Sequence, residues 1–275
     1  MAMIKLVAVD MDGTFLRDDR TYDKARFLDL FKRMQQNHIH FVAASGSQYQ
    51  RLRHEFTEVA DNMDFISQNG AIVHQGDQLK EIMPLSDQQV HGVIATISHL
   101  FAEQDVSQEV VSGLNGTYVN ADMDPEALKI VKYYYRPVIS VHSLAQLVGQ
   151  KVNDQFTKIA VNFTEGVDFQ HARTVLKAQL PDFLSSENSG FNTELIGLKE
   201  ATKRSGIQAL QTLYNIADDE VMTFGDNEND LSMLTMTPHS YAMKNAAAGI
   251  QQQAGNVTQF DNNHDGVLAA MAEAL

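Results

Sequence analysis

"VAVDMDGTFL", residues 7–16, runs an apolar, strand-like segment straight into two carboxylates, Asp10 and Asp12, with Gly13 just behind them. Buried anions are costly unless something positive meets them, so this stretch demands a counter-charge. Residues two apart on a strand point to the same side; Asp10 and Asp12 can therefore face one site, and Gly13 lets the chain turn sharply there. In open parallel sheets ligands sit beyond the carboxyl ends of the strands, and Asp10 falls at such an end. The plain alternative is structural: Asp-Gly is a common turn pair and Asp a common helix cap.

Working outward, "IKLVAV" (4–9) is a continuous apolar run of the kind a buried parallel strand shows. "DKARFLDLFKRMQQN" (23–37) carries Phe27, Leu30, Phe31 and Met34 at helical spacing. "IHFVAAS" (39–45) reads as strand, "QYQRLRHEFTEV" (48–59) as helix, and "DFISQNGAIVH" (64–74) as two short strands around an Asn69-Gly70 turn. Strand and helix alternating at this spacing predict βαβ units on a parallel sheet. From about residue 84 the style changes to a helix after Pro84, then alternating segments such as "GTYVN" (116–120) and "KIAVNF" (158–163), a helix over 168–180, and the polar piece "SSENSGFN" (185–192). After about residue 193 the first style returns: "TELIGL", a helix over 203–216, "EVMTFG" (220–225) and "HSYAM" (239–243). The expected organisation is an α/β core, residues 1–83 and 191–275, interrupted by an α+β module over 84–190.

The chain has 275 residues, 44% hydrophobic, a formal net charge of −14 and no cysteine. Enough apolar content is present for a core. The negative balance argues against nucleic acid or an anionic membrane as a partner, since both need a basic footprint. Without cysteine there are no disulfides and no thiolate zinc sites. No run of about 18 uncharged apolar residues predicts a membrane span, and the N-terminus lacks the pattern of a secretion signal. A cytoplasmic protein, monomeric or a weak homodimer, is the expectation.

A second acidic cluster, "TFGDNENDLSML" (223–234), also follows a strand and supplies Asp226, Asn229 and Asp230. If the two strands are neighbours, four carboxylates converge on one crevice, and they cannot all ionise without a counter-charge. A hard divalent cation with oxygen ligands resolves the conflict, and Mg²⁺ suits carboxylates, waters and a substrate phosphate. An EF-hand is excluded because Phe15 or Leu231 would stand where its loop needs glycine. There is no HExxH, P-loop or GxGxxG. Ser45-Gly46 closes a strand and opens a helix, where a hydroxyl and free N–H groups hold a phosphate oxygen. Lys203 opens a later helix, a position the dipole disfavours for a cation, so it seeks an anion; Lys199 competes for that role.

Together these residues resemble the haloacid dehalogenase (HAD) superfamily of phosphotransferases. "DMDGT" (10–14), "AASG" (43–46), Lys203 and "GDNEND" (225–230) match its four motifs in order, with an insertion between the second and third. "SQNGA" (67–71), "MKNA" (243–246) and "DNNHDGV" (261–267) are similar to the Cof-type bacterial sugar-phosphate phosphatases, with Lys244 where Gly is usual and Gln68 where Glu is common. The resemblance implies a Rossmann-like parallel-sheet core with helices on both faces and an inserted α/β cap. It implies Asp10 as nucleophile, Asp12 as acid and base, and Mg²⁺ held by Asp10, the Asp12 carbonyl and Asp226, with Asp230 in support. Ser45 and Lys203 would hold the phosphoryl oxygens, Asn229 would orient the phosphate, and Gly13 and Gly46 would give backbone access. The "NSGFN" loop (188–192) is the place to look for substrate contacts in the insertion. The expected activity is Mg²⁺-dependent hydrolysis of small phosphorylated metabolites, sugar phosphates foremost. The alternatives are a hexose-phosphate mutase, or a regulatory protein that kept the fold without catalysis.

Overall fold

The computed structural model describes residues 3–189 and 192–275. The first run lays down β1 (Leu6–Val9), α1 (Lys24–Gln36), β2 (His40–Ala44), α2 (Tyr49–Glu55), β3 (Asp64–Ser67), β4 (Ile72–Gln75) and β5 (Gln78–Ile82). Next come α3 (Asp87–Leu100), β6 (Val106–Gly113), β7 (Thr117–Asn120), α4 (Pro125–Tyr134), β8 (Val138–Val141), α5 (Gly149–Val152), β9 (Phe156–Phe163), α6 (Phe169–Gln179), β10 (Leu184–Asn188) and β11 (Thr193–Leu198). The last run is α7 (Lys203–Tyr214), β12 (Val221–Gly225), α8 (Leu231–Leu234), β13 (His239–Ala242), α9 (Ala248–Gln251), β14 (Asn256–Val257) and α10 (Gly266–Ala274).

Two compact units result, Met1–Glu81 with Thr202–Leu275, and Ile82–Ala201. In the first, eight strands form one sheet in the order β14-β13-β12-β1-β2-β3-β4-β5. Pairing is parallel from β14 through β3 and antiparallel between β3 and β4. The uninterrupted apolar run of β1 has a simple cause: both of its faces are covered. Val7 and Val9 join Phe27, Phe31 and Met34 of α1 and Val267 and Met271 of α10 in one core. Leu6 and Ala8 face the other way, onto Ile207 and Leu210 of α7 and Met233 of α8. The α/β class with helices on both faces therefore holds. The helix expected over 48–59 ends earlier, at Glu55, because Phe56 turns inward to pack with Phe15, Phe27 and Phe41.

The second unit is a six-stranded sheet, β10-β11-β9-β6-β7-β8. One face packs on α3 and α6 through Val111, Ile159, Val161 and Ile196; the other packs on α4 through Val110, Val119 and Ala160. One assignment from the sequence changes here. "TELIGL" is not a strand of the first sheet: β11 pairs antiparallel with β9 and β10. Residues 185–188 of the polar piece "SSENSGFN" belong to a strand, β10. Polar letters there are tolerated because β10 is an edge strand. The boundary expected at 190/191 falls on residues outside those described, and the contacts divide instead between Ala201 and Thr202.

Glu109 on β6 is set beside Val161 of β9, and burial pushes its carboxyl up to about 7. A carboxyl raised on folding binds its proton more tightly in the folded chain. Stability therefore falls as pH rises from the ordinary range through about 7. Glu109→Gln is expected to remove this slope and to add roughly 1–2 kcal/mol at about pH 8, after allowance for partial exposure. Urea unfolding of both proteins at about pH 5 and about pH 8 measures it.

Candidate active site

Three adjacent strands, β12, β1 and β2, end side by side, and each is followed directly by a candidate site residue: Asp226, Asp10 and Ser45. The Asp10 N–H donates to the Phe224 carbonyl at 3.0 Å, locking its backbone to β12. Asp10, Asp226 and Asp230 bring carboxylate oxygens within 4.8 Å of one another. Lys203, the first residue of α7, is fully buried and donates to Asp10 Oδ1 and, at 2.5 Å, to Asp230 Oδ1. A capping box between Thr202 and Ser205 satisfies the helix end, so the misplaced cation is offset by two anions rather than by the cap. Lys199 is exposed and takes no part.

The hydrogen bonds say which oxygens remain for a ligand. Asp230 is saturated: its Oδ2 accepts the N–H groups of Asp226 and Asn227 at 2.9 and 3.0 Å. Asp226 Oδ1 accepts from Thr14 Oγ1 at 2.7 Å. Asp10 Oδ2 and Asp226 Oδ2 are left unused by these bonds. Gly13, at φ +82°, passes so close to Asp226 that an added Cβ would lie 2.7 Å from its Oδ2. Burial raises the Asp10 carboxyl well above its ordinary value, only partly opposed by Lys203. Burial likewise lifts Asp226 to about 6, with Thr14 pulling the other way and Asp230 adding to the rise. At Lys203 burial is outweighed by attraction to Asp10 and Asp230, and its pKa moves up. Three carboxylates surround one ammonium, leaving two negative charges in excess if all are ionised. A divalent cation fits that excess and two free hard oxygens.

The fourth carboxylate does not join them. The Asp12 side chain is 52% exposed and accepts instead from Arg51 Nη2, at 2.9 and 3.2 Å. The expected convergence of four carboxylates is thus three plus one, because the turn that follows Met11 points Asp12 outward while Asp10 stays under Lys203. Ser45 is buried and its Oγ accepts the Ser47 N–H at 3.1 Å. Asn229 donates through Nδ2 to Asn69 Oδ1 at 3.3 Å, and a Cβ on Gly46 would approach the same oxygen to 3.0 Å.

Asn69, which the sequence places at a turn inside the "SQNGA" segment, joins the candidate site. Gln68, Asn69 and Gly70 follow β3 with φ of 51°, 58° and 103°, three left-handed residues in succession and all buried. The Asn69 N–H donates to the Ser45 carbonyl at 3.0 Å. A Cβ on Gly70 would lie 1.9 Å from the Thr202 carbonyl, so only glycine lets this turn press against the start of α7. Strain of this kind persists where its surroundings hold it, often at functional sites. The "MKNA" and "DNNHDGV" segments also gain a physical role. Asn245 Nδ2 donates to the Gly13 carbonyl at 2.8 Å, and Asn262 Nδ2 donates to the Leu16 carbonyl at 3.1 Å, clamping the turn that carries Asp12. Lys244 itself is exposed. Gly190 and Phe191 of the "NSGFN" loop lie outside the described residues.

The haloacid dehalogenase-like hydrolase model matches residues 7–271. This chain belongs to that family. Similar to it are the 5-amino-6-(5-phospho-D-ribitylamino)uracil phosphatase YbjI of Escherichia coli K12, 31% identical over 99% of this chain and 96% of that protein. A putative phosphatase of Haemophilus influenzae is 28% identical over 98% of each. Among solved structures, SMU.1108c of Streptococcus mutans UA159 superposes with a TM-score of 0.86 at 28% identity, covering 98% of each chain. The Cof-type resemblance and the enzyme class, a phosphoric monoester hydrolase, stand on these matches. No helix among the described residues is long and apolar enough to cross a membrane.

Proposed function

We propose that this HAD phosphatase hydrolyses small phosphorylated metabolites, sugar and polyol phosphates foremost, in two displacements through an aspartyl-phosphate on Asp10. The observation that carries the reading is Lys203, a fully buried ammonium held between Asp10 and Asp230. A cation in that position orients the Asp10 carboxylate and offsets charge on the transferred phosphoryl oxygens. Asp10 Oδ2, not engaged by Lys203, attacks phosphorus. Asp12, protonated from solvent before the first displacement, gives that proton to the departing oxygen and then takes one from the water that cleaves the acyl-phosphate. Ser45 Oγ and Lys203 hold phosphoryl oxygens, Asn229 orients the group from the side fixed by Asn69, and Gly13 and Gly46 let backbone approach it. Mg²⁺ would be held by Asp10, Asp226 and the Asp12 carbonyl, with Asp230 in support; when bound it supplies positive charge to the phosphoryl oxygens. The ribityl phosphate in the name of the E. coli relative supports an open-chain polyol phosphate as one substrate.

Release of inorganic phosphate from a panel is the test: p-nitrophenyl phosphate, hexose phosphates, and the relative's ribitylamino-uracil phosphate, each with Mg²⁺ and with EDTA. Activity on alkyl phosphates that EDTA abolishes is expected. Appearance of an isomeric hexose phosphate in place of inorganic phosphate would turn the reading to a mutase. Mg²⁺ at about ten times its Kd should raise the melting temperature by roughly 3–6 °C, and Asp226→Asn should lose that shift. An unchanged shift in the variant would remove Asp226 from the metal site.

A further inference from the structure

Arg51 is absent from every motif that identified the site, yet it holds the group expected to move the proton. It sits on the first turn of α2, with its side chain 24% exposed. Its Nη1 donates to Ser47 Oγ at 2.9 Å, and its Nη2 donates to both carboxylate oxygens of Asp12, at 2.9 and 3.2 Å. Ser47 in turn donates its N–H to Ser45 Oγ at 3.1 Å. One guanidinium therefore ties the Ser45–Ser47 turn at the end of β2 to the Asp12 carboxylate beyond β1.

We propose that Arg51 is a positioning residue for Asp12, fixing that carboxylate at the leaving-group side of the phosphoryl pocket by bridging it to Ser47. The assignment rests on the reading of Asp12 as proton donor. Asp12 stands outside the Lys203 cluster, half-exposed, and among the described residues no other side chain bonds its carboxylate. Left alone, such a side chain samples several rotamers, and the fraction in line with the departing oxygen limits the rate. A planar fork anchored at two points removes that freedom, and a lysine ammonium, a single point charge, does not reproduce it. When one Asp12 oxygen carries the proton, the other still accepts from Arg51 Nη2, and because an exposed pair adds little to stability, the value of this contact lies in geometry.

Proton donation matters most when the leaving alcohol is a poor leaving group, so a comparison of two monoesters isolates it. The measurement is the rate of alcohol release in the first turnover, by rapid quench. The substrates are p-nitrophenyl phosphate and the alkyl monoester that the wild-type enzyme hydrolyses fastest. Arg51→Ala is expected to lower the alkyl-to-aryl rate ratio by roughly 10–100-fold, less than the about 10²–10⁴-fold of full general acid catalysis because Asp12 itself remains. Arg51→Lys should recover only part of the loss, and Ser47→Ala should lower the ratio by about 3–10-fold because the fork loses one anchor. Overturning results are a ratio that is unchanged or rises in Arg51→Ala; a rise would mean that Arg51 draws Asp12 away from the substrate. Asp12→Asn sets the reference. If it too leaves the ratio unchanged, the acid reading of Asp12 fails and the Arg51 assignment falls with it. If it lowers the ratio and Arg51→Ala does not, the Arg51 assignment alone is overturned. Melting curves with unchanged midpoints show that the variants remain folded.

Discussion

Asp10→Asn is expected to abolish turnover, by on the order of 10⁴-fold or more, while leaving the protein folded. The amide keeps the volume of the carboxylate and has no anionic oxygen to attack phosphorus. The effect on stability follows from the charge count. Asp10 shares one ammonium with Asp226 and Asp230, and burial pushes its carboxyl well above the ordinary value. A neutral isostere removes one of the excess negative charges, and Lys203 keeps Asp230 at 2.5 Å. Without divalent metal the variant should therefore be as stable as the wild type or more so. Urea unfolding in EDTA checks this, alongside phosphate release from p-nitrophenyl phosphate in Mg²⁺. Retained turnover would take the nucleophile role from Asp10. A marked loss of stability would show instead that the Lys203–Asp10 pair holds the fold together.

Lys203→Met reverses that sign. Removing the cation strands Asp10 and Asp230 as buried, uncompensated carboxylates, and breaking a buried pair from one side costs about 3–5 kcal/mol. Activity should be lost together with stability. Part of the stability should return on acidification, because the stranded carboxyls bind protons more tightly in the folded chain than in the unfolded one. Part should also return with Mg²⁺, which supplies the missing positive charge. Lys199→Met, at an exposed position, should change stability by no more than about 0.5 kcal/mol. Unfolding midpoints of the two variants at about pH 5 and about pH 8, with and without Mg²⁺, separate these cases. Equal behaviour of the two would mean that the buried cation is not what organises the carboxylates.

Much of this was legible before any coordinates. The run into Asp10 reads as a doubly covered strand because both faces of β1 are buried, which leaves no alternation to mislead. Lys203 stood out because a cation at a helix start contradicts the dipole unless an anion meets it, and two do. Reading failed where the partner is remote. The letters of "TELIGL" suit either sheet, and only pairing with β9 assigns it to the second. Arg51 lies in the helix expected over 48–59 with nothing in its spacing to pair it with Asp12; that contact depends on how β1 and β2 are placed side by side. Gln68 and Asn69 carried a signal in the "SQNGA" segment, but not their location beside Ser45 and Asn229.

Residue type and spacing alone set out the candidates: which side chains are anionic, which two lysines near one helix start could meet them, and which strand ends carry them. Those are local properties, written in residue type and in spacings of two to four. The tertiary structure alone decided the electrostatic grouping, with Asp10, Asp226 and Asp230 around Lys203 and with Asp12 drawn to Arg51. Charges interact through distances in space, and chain order leaves those distances open until the strands are placed side by side.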